Sequence, residues 1–315
     1  MNLLFEMLPM VFMVATPIVI SALGGLFSER SGIINIALEG IMLIGAFAGA
    51  TTTILLADSL GGMAPWVGIL VGCLCGALFS IIHAYACIHL KADQTISGVA
   101  LNMLASGISI YLCQLIFQGQ RTPNFPKGIV KMSIPILQDI PLIGLFFKNV
   151  YPTIYIALIL VFVTYFVVFK TKFGLHLRSC GEFPQASASL GINVEKMRYI
   201  GVITSGAFGG LSGAIMVLTM DIQFSLSVIH GVGFIAMACL IFGKWNPFGC
   251  LAAGTFFGFS QTLSTYSGSI PFISSFPSEF FYSIPYILTI VVLIITANRS
   301  AGPKAAGEIY DSGKR

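Results

Sequence analysis

The sequence predicts an all-α polytopic membrane protein with about nine transmembrane segments, one of them short enough to be a re-entrant half-helix. Three observations predict it. Hydrophobic residues make up 56% of the 315 residues and charged residues only 9%, where soluble domains carry about 25% charged residues. Mean hydropathy is +0.92. The apolar residues are gathered into runs close to the ~20 needed to cross about 30 Å of hydrocarbon.

The runs fall at approximately 7–27, 33–56, 65–89, 94–118, 152–170, 199–220, 231–243, 248–268 and 283–298. The first reads as a retained span rather than a signal peptide. Glu6 stands where a basic segment belongs, no basic residue precedes Arg30, and no small-residue cleavage site stands out after Ser21 and Ala22. The seventh run is short for a crossing and flanked by glycines, so it reads as a half-helix or a tight reversal at Asn246–Pro247. Lys and Arg concentrate on the cytoplasmic side of membrane proteins. If the 171–198 loop, with Lys170, Lys172, Arg178, Lys196 and Arg198 at or near it, is cytoplasmic, twelve of the sixteen basic residues fall inside. The N-terminus is then outside and the C-terminus cytoplasmic. Residues 1–298 form a single transmembrane domain, with 119–151 as a Pro-rich external loop. Residues 299–315, rich in Gly, Ala, Lys and Ser, read as a disordered cytoplasmic tail. The net charge of +4 follows from the inside bias and does not point to nucleic acid.

The composition of the runs indicates how they pack and what they do not do. Glycines recur four apart at Gly45 and Gly49, Gly72 and Gly76, Gly206 and Gly210, Gly209 and Gly213, and Gly254 and Gly258, a spacing that lets helices approach closely in lipid. The seven cysteines lie mostly in or beside apolar runs and form neither a disulfide framework nor a metal site, so they read as small packing residues. No P-loop is present: Gly243–Lys244 is followed by Trp245, and Gly313–Lys314 by Arg315. The four histidines are scattered, and no nucleophile elbow or paired carboxylates appear. The chain is expected to have no catalytic residue, no metal and no bound cofactor.

Polar residues inside the runs are therefore the candidates for function. Glu39 lies several residues into the second run, and Asn35 shares its helix face at i and i+4. A carboxylate near the bilayer centre is costly. It either lines a water-filled route or holds two helices through a buried hydrogen bond, and the residues leave both readings open, with the structural one ahead. Asp93, Gln94, Thr95, Ser97 and Asn102 open the fourth run. Asp93 is expected to cap that helix; Gln94 and the deeper Asn102 join Asn35 and Glu39 as candidate pathway residues.

The 174–198 loop is too polar to span and longer than the usual helix–helix connection. Glu182 and Pro184 mark a helix start, Ala186 to Leu190 its body and Gly191 its stop. A short helix of this kind, between two spans, either plugs into a partner or is a simple connector, and the length of the loop favours a use.

Several stretches resemble the permease subunits of bacterial ABC importers of sugars and nucleosides. They are Ser28-Glu-Arg-Ser-Gly-Ile-Ile-Asn-Ile-Ala-Leu-Glu-Gly, Gly181-Glu-Phe-Pro-Gln-Ala-Ser-Ala-Ser-Leu-Gly-Ile, Ser205-Gly-Ala-Phe-Gly-Gly-Leu-Ser-Gly-Ala and Gly243-Lys-Trp-Asn-Pro-Phe-Gly. The resemblance runs from about residue 10 to 298, and the Ser-Glu-Arg-Ser-Gly form is most similar to the purine-nucleoside branch. It implies that Gly181, Glu182, Pro184, Ala186 and Gly191 belong to a coupling helix seated on a cytoplasmic ATP-binding subunit, which uses the ATP. It also implies a second permease, an extracytoplasmic binding lipoprotein or periplasmic protein, and residence in the bacterial inner membrane. Phe183 stands where the family commonly has Asn. An ion-coupled transporter is the rival class, and would leave the long docking loop without a use.

Overall fold

The computed structural model describes residues 2–126, 128–133 and 149–266, scattered positions between 280 and 294, and residues 302–311. The described residues are almost wholly helical; their strand pairing is one isolated bridge, Met132 to Val150. The helices are α1 (Asn2–Arg30), α2 (Leu38–Leu55), α3 (Ala57–Leu60), α4 (Ala64–Ile88), α5 (Gln94–Phe117), α6 (Thr153–Lys170), α7 (Lys172–Glu182), α8 (Pro184–Ser189), α9 (Val194–Met220), α10 (Val232–Phe242) and α11 (Pro247–Tyr266).

Among the described residues, six helical stretches are long and apolar enough to cross a membrane. They are Met7–Arg30, Leu38–Leu55, Ala57–Ile88, Gln94–Phe117, Thr153–Lys170 and Val194–Met220, and a shorter apolar stretch covers Leu226–Phe242. They match the first six expected runs. The seventh run is α10, only 11 residues long. The eighth is α11, of 20 residues, whose last turns carry Ser260, Gln261, Thr262, Ser264 and Thr265. The ninth run, 283–298, and the apolar middle of the 119–151 loop lie largely outside the described residues.

Local sequence explains the helix ends. Asp93 Oδ1 accepts from the Ile96 amide at 2.9 Å, the cap expected from sequence. Asn193 does the same for Lys196 at 2.8 Å, and Thr171 for Gly174 at 3.1 Å. Each satisfies an orphan first-turn amide. Pro17 lies inside α1 and cannot donate to the helix ladder; its own carbonyl accepts a bond at 2.7 Å from Ser212 of α9.

The centre of the bundle is α1, α2, α4 and α9. On the axis of α2, α4 and α9 the glycines bring three backbones together. A Cβ at Gly72 would lie 2.6 Å from the Ala214 Cβ and 2.7 Å from the Gly45 carbonyl oxygen, and one at Gly210 would collide with the Gly72 carbonyl and meet the Gly76 Cα. Close approach of this kind replaces the hydrophobic drive that lipid removes. By contrast α5 and α6 are peripheral, with Ile96, Met103 and Tyr111 on α5 and Phe162 and Phe166 on α6 more than 60% exposed.

Of residues 299–315, only 302–311 are described. Residues 302–311 pack on the bundle end that carries α7 and α8. The Ala305 amide donates to the Gly181 carbonyl at 2.9 Å and the Gly307 amide to that of Gly32 at 3.3 Å. Lys91 pairs with Asp311 at 3.0 Å. Composition concealed this because the segment is held through backbone groups and small residues, with Pro303 and Ala305 buried, rather than through an apolar face.

Candidate coupling element and pathway site

Two places gather the residues that the sequence singles out. The first is the joint between α1 and α2. Helix stops at Arg30 and resumes at Leu38, so residues 31–37 carry backbone groups without a helical partner. At membrane depth such groups must be satisfied by protein, and here side chains do it. Gln94 Oε1 accepts from the Ile34 amide at 2.7 Å. His83 Nε2 lies 3.2 Å from the Ile34 carbonyl, and its Nδ1 is 2.9 Å from Ser97 Oγ. Asn102 accepts from the Gly40 amide at 2.8 Å and donates to the Ile36 carbonyl at 3.0 Å. Ser28 Oγ donates to the Ile33 carbonyl at 2.7 Å. Asn35 Nδ2 donates to Ser205 Oγ at 2.9 Å.

Glu39 has a different task. Its two carboxylate oxygens accept from the amides of Gly231 and Gly233, each at 2.7 Å, so it caps the first turn of α10. A carboxylate at a helix N-terminus is favoured by both the orphan amides and the dipole. Gly233 lets the two elements meet: a Cβ there would lie 2.6 Å from the Glu39 Cα. All four candidate pathway residues are thus brought to α2 and its flanks. Asn35 and Gln94 are buried at 1% and 4% exposure; Glu39 and Asn102 are half-buried. Sequence reading missed His83, which looked isolated because its partners lie on the α1–α2 joint and in the first turn of α5. Its only signal is a lone imidazole in an otherwise apolar run.

The second place is the α7–α8 end. Here α7 is a helix that the sequence reading did not resolve, and Glu182, expected to start the short helix, is its last residue. The break falls at Phe183 (φ −143°, ψ 81°), because the residue before a proline is driven out of helical conformation. Pro184 then opens α8, which runs to Ser189, and Gly191 stops it at φ +82°. Pro184 and Ser187 are buried, while Gln185, Ala186 and Ser189 are exposed. Phe183 and Leu190 flank this face at 58% and 83% exposure. Gly181 seats the end of α7 directly on the Arg30 carbonyl, where a Cβ would collide. Burial pushes the neighbouring Cys180 thiol above its ordinary value.

The tail completes this end. Lys304 lies over the Phe183 ring at 5.0 Å, and its amide approaches Glu182 Oε2 at 3.4 Å. Beneath, Arg198 is 1% exposed. It donates to the Glu308 carbonyl at 3.2 Å and lies 5.7 Å from the Tyr310 ring.

A multi-pass helical bundle that offers a short helix with one exposed face between two spans, and contains a helix of half a crossing held by a half-buried carboxylate, is built as a transport subunit. The chain belongs to the branched-chain amino acid transport system / permease component family, whose profile matches residues 7–293. It is 47% identical over 315 residues to the guanosine ABC transporter permease protein NupQ of Bacillus subtilis, covering 100% of this chain and 99% of that one. It is 43% identical to the nucleoside ABC transporter permease protein NupC of Lactococcus lactis, covering 95% of each. A putative glucose ABC transporter permease protein of Haloferax volcanii is 31% identical, over 93% of this chain and 92% of that one.

Proposed function

We propose that the chain forms one transmembrane half of an importer of purine nucleosides, driven by ATP hydrolysis in a separate cytoplasmic subunit. The observation that carries this reading is the 47% identity to a guanosine permease over the whole of both chains. The chain would cross the inner membrane of a bacterium about nine times, with its N-terminus outside and its C-terminus inside. The α7–α8 end then faces the cytoplasm. Gly181, Glu182, Pro184, Ala186 and Gly191 form the coupling element, and the exposed face of Gln185, Ala186 and Ser189 is where the ATP-binding subunit seats. A second, non-identical permease completes the route, and a binding protein outside delivers the solute. This chain supplies no cofactor: ATP is bound and used by its partner.

In this scheme ATP binding closes the partner subunits, displaces the coupling element and rocks the bundle between outward and inward openings. We assign to the pathway Glu39, half-buried where α10 begins, and Asn102, half-buried against the Gly40 amide; Gln94, bonded to the Ile34 amide, and Asn35, bonded to Ser205 of α9, fix the joint beside them. The test is uptake of radiolabelled guanosine and of glucose by a strain deleted for this permease, with and without the gene restored. Restoration should return guanosine uptake, and inactivation of the partner ATPase should abolish it. Guanosine uptake that persists without the ATPase, or restoration of glucose uptake alone, would overturn the reading.

A further inference from the structure

We propose that Arg30 and Trp245 form a mechanical relay between the coupling element and α10; both are positioning residues that need not touch the solute. The inference rests on the importer reading above and assigns a role to the Glu29–Arg30 pair and to the Gly243–Asn246 turn.

Arg30 is the last residue of α1 and stands between two otherwise separate elements. One guanidinium nitrogen donates to the Trp245 carbonyl at 3.1 Å. Another lies 3.9 Å from Glu182 Oε1. The Phe169 ring sits 5.9 Å from the guanidinium carbon. Arginine suits such a junction because its always-charged guanidinium donates to the Trp245 carbonyl while staying paired in charge with Glu182. The coupling element also rests on the Arg30 carbonyl through Gly181, with no side chain between them. A displacement of Gly181 and Glu182 therefore acts on Arg30 through both packing and charge.

On the far side, the turn from α10 to α11 is tightly held. Trp245 is 6% exposed, and its Nε1 donates to Glu29 Oε2 at 2.6 Å. Lys244 and Trp245 both have φ +51°, a left-handed conformation that non-glycine residues rarely adopt. Two in succession persist only where the surroundings over-determine them, and here Glu29 and Arg30 do so. Gly243 and Gly249 meet backbone to backbone, which welds the turn to α11. Helix α10 is thus gripped at both ends by acidic residues from α1 and α2: Glu29 through Trp245 at one end, Glu39 through Gly231 and Gly233 at the other. At 1.5 Å per residue its 11 residues span about 16 Å, and a push at the turn that follows is carried along this length to the Glu39 cap.

The experiment uses the whole complex, with both permeases, the ATPase and the binding protein, in proteoliposomes, and reads ATP hydrolysed per guanosine imported. Trp245→Phe removes the indole donor and keeps the ring; Arg30→Lys keeps the charge and loses the fork. Each should raise the ratio at least about five-fold at equal amounts of assembled complex, the order expected for losing one buried bond. Glu29→Gln, which keeps an acceptor for the indole, should stay within about two-fold of the natural protein. Arg30→Lys combined with Glu182→Gln should be no worse than the worse single change, because they lie on one line of transmission. An unchanged ratio, uptake and hydrolysis falling together, or multiplying effects in the double variant would each overturn the relay.

A second measurement leaves Glu29, Arg30, Glu182 and Trp245 untouched and does not depend on the solute. A photo-cross-linking amino acid replaces the exposed Lys244, and cross-links are compared with and without ATP and vanadate. The pattern should change with nucleotide; identical patterns would sink the proposal even if the complex imports guanosine. A nucleotide-dependent change in a complex that imports another solute would keep the relay and discard the nucleoside reading.

Discussion

Helix α2 is held in two ways along its length. Towards its middle, Gly45 lies against Gly72 of α4 and Gly210 of α9, and no directional bond from its side is needed. At its start, Gln94, His83, Asn102 and Ser28 each supply a hydrogen bond to the unwound backbone. The difference follows from the state of the backbone. Where the helix is continuous its peptide groups are already satisfied, and association needs only surfaces without protrusions. Where it is interrupted, each freed amide and carbonyl requires a partner. The glycine seam is therefore damaged by adding atoms, and the joint by removing them.

The contrast can be broken most severely at the seam. Gly210→Leu forces a side chain into the Gly72 carbonyl and the Gly76 backbone. Backbones cannot yield as side chains do, so the loss should exceed the ~1–3 kcal/mol typical of overpacked cores. The check is the yield of monodisperse protein after detergent extraction, which should fall to background; a normal yield would show that the three helices are not in contact. At the joint, Asn102→Leu conserves bulk and removes two bonds. It leaves the Gly40 amide and the Ile36 carbonyl unpaired, a loss of about 2–4 kcal/mol, read as a lower Tm in detergent. A Tm equal to that of the natural protein would mean that water replaces the amide. The smallest effect is expected at Glu39→Gln. The amide keeps one acceptor for the two amides of α10 and loses the charge–dipole attraction, so about 1 kcal/mol is lost, and Glu39→Leu should lower Tm further. Equal Tm values for the two variants would show that the cap carries no stability.

These places were not equally legible in the sequence. Apolar runs gave the six long helices and the short α10 directly, since length and hydropathy are what lipid selects. The cap at Asp93 and the stop at Gly191 could be read because each depends on its own side chain or its lack of one. Helix α7 could not: Leu177 and Cys180 bury themselves in a polar stretch whose average conceals them. The polarity of Asn35, Glu39, Gln94 and Asn102 marked them as special. Their partners were hidden, because the bonds join positions 60 to 194 residues apart. The tight reversal before Pro247 could be read, but the partners of Trp245 on α1 and the bond of His83 to Ile34 were hidden in the same way.

Residues 302–311 leave the ribosome after every helix they bind. Until then, the carbonyls of Gly32 and Gly181, which accept from their amides, and the guanidinium of Arg198 stay without these partners. The surface around α8 is consequently the last part of the described molecule to mature.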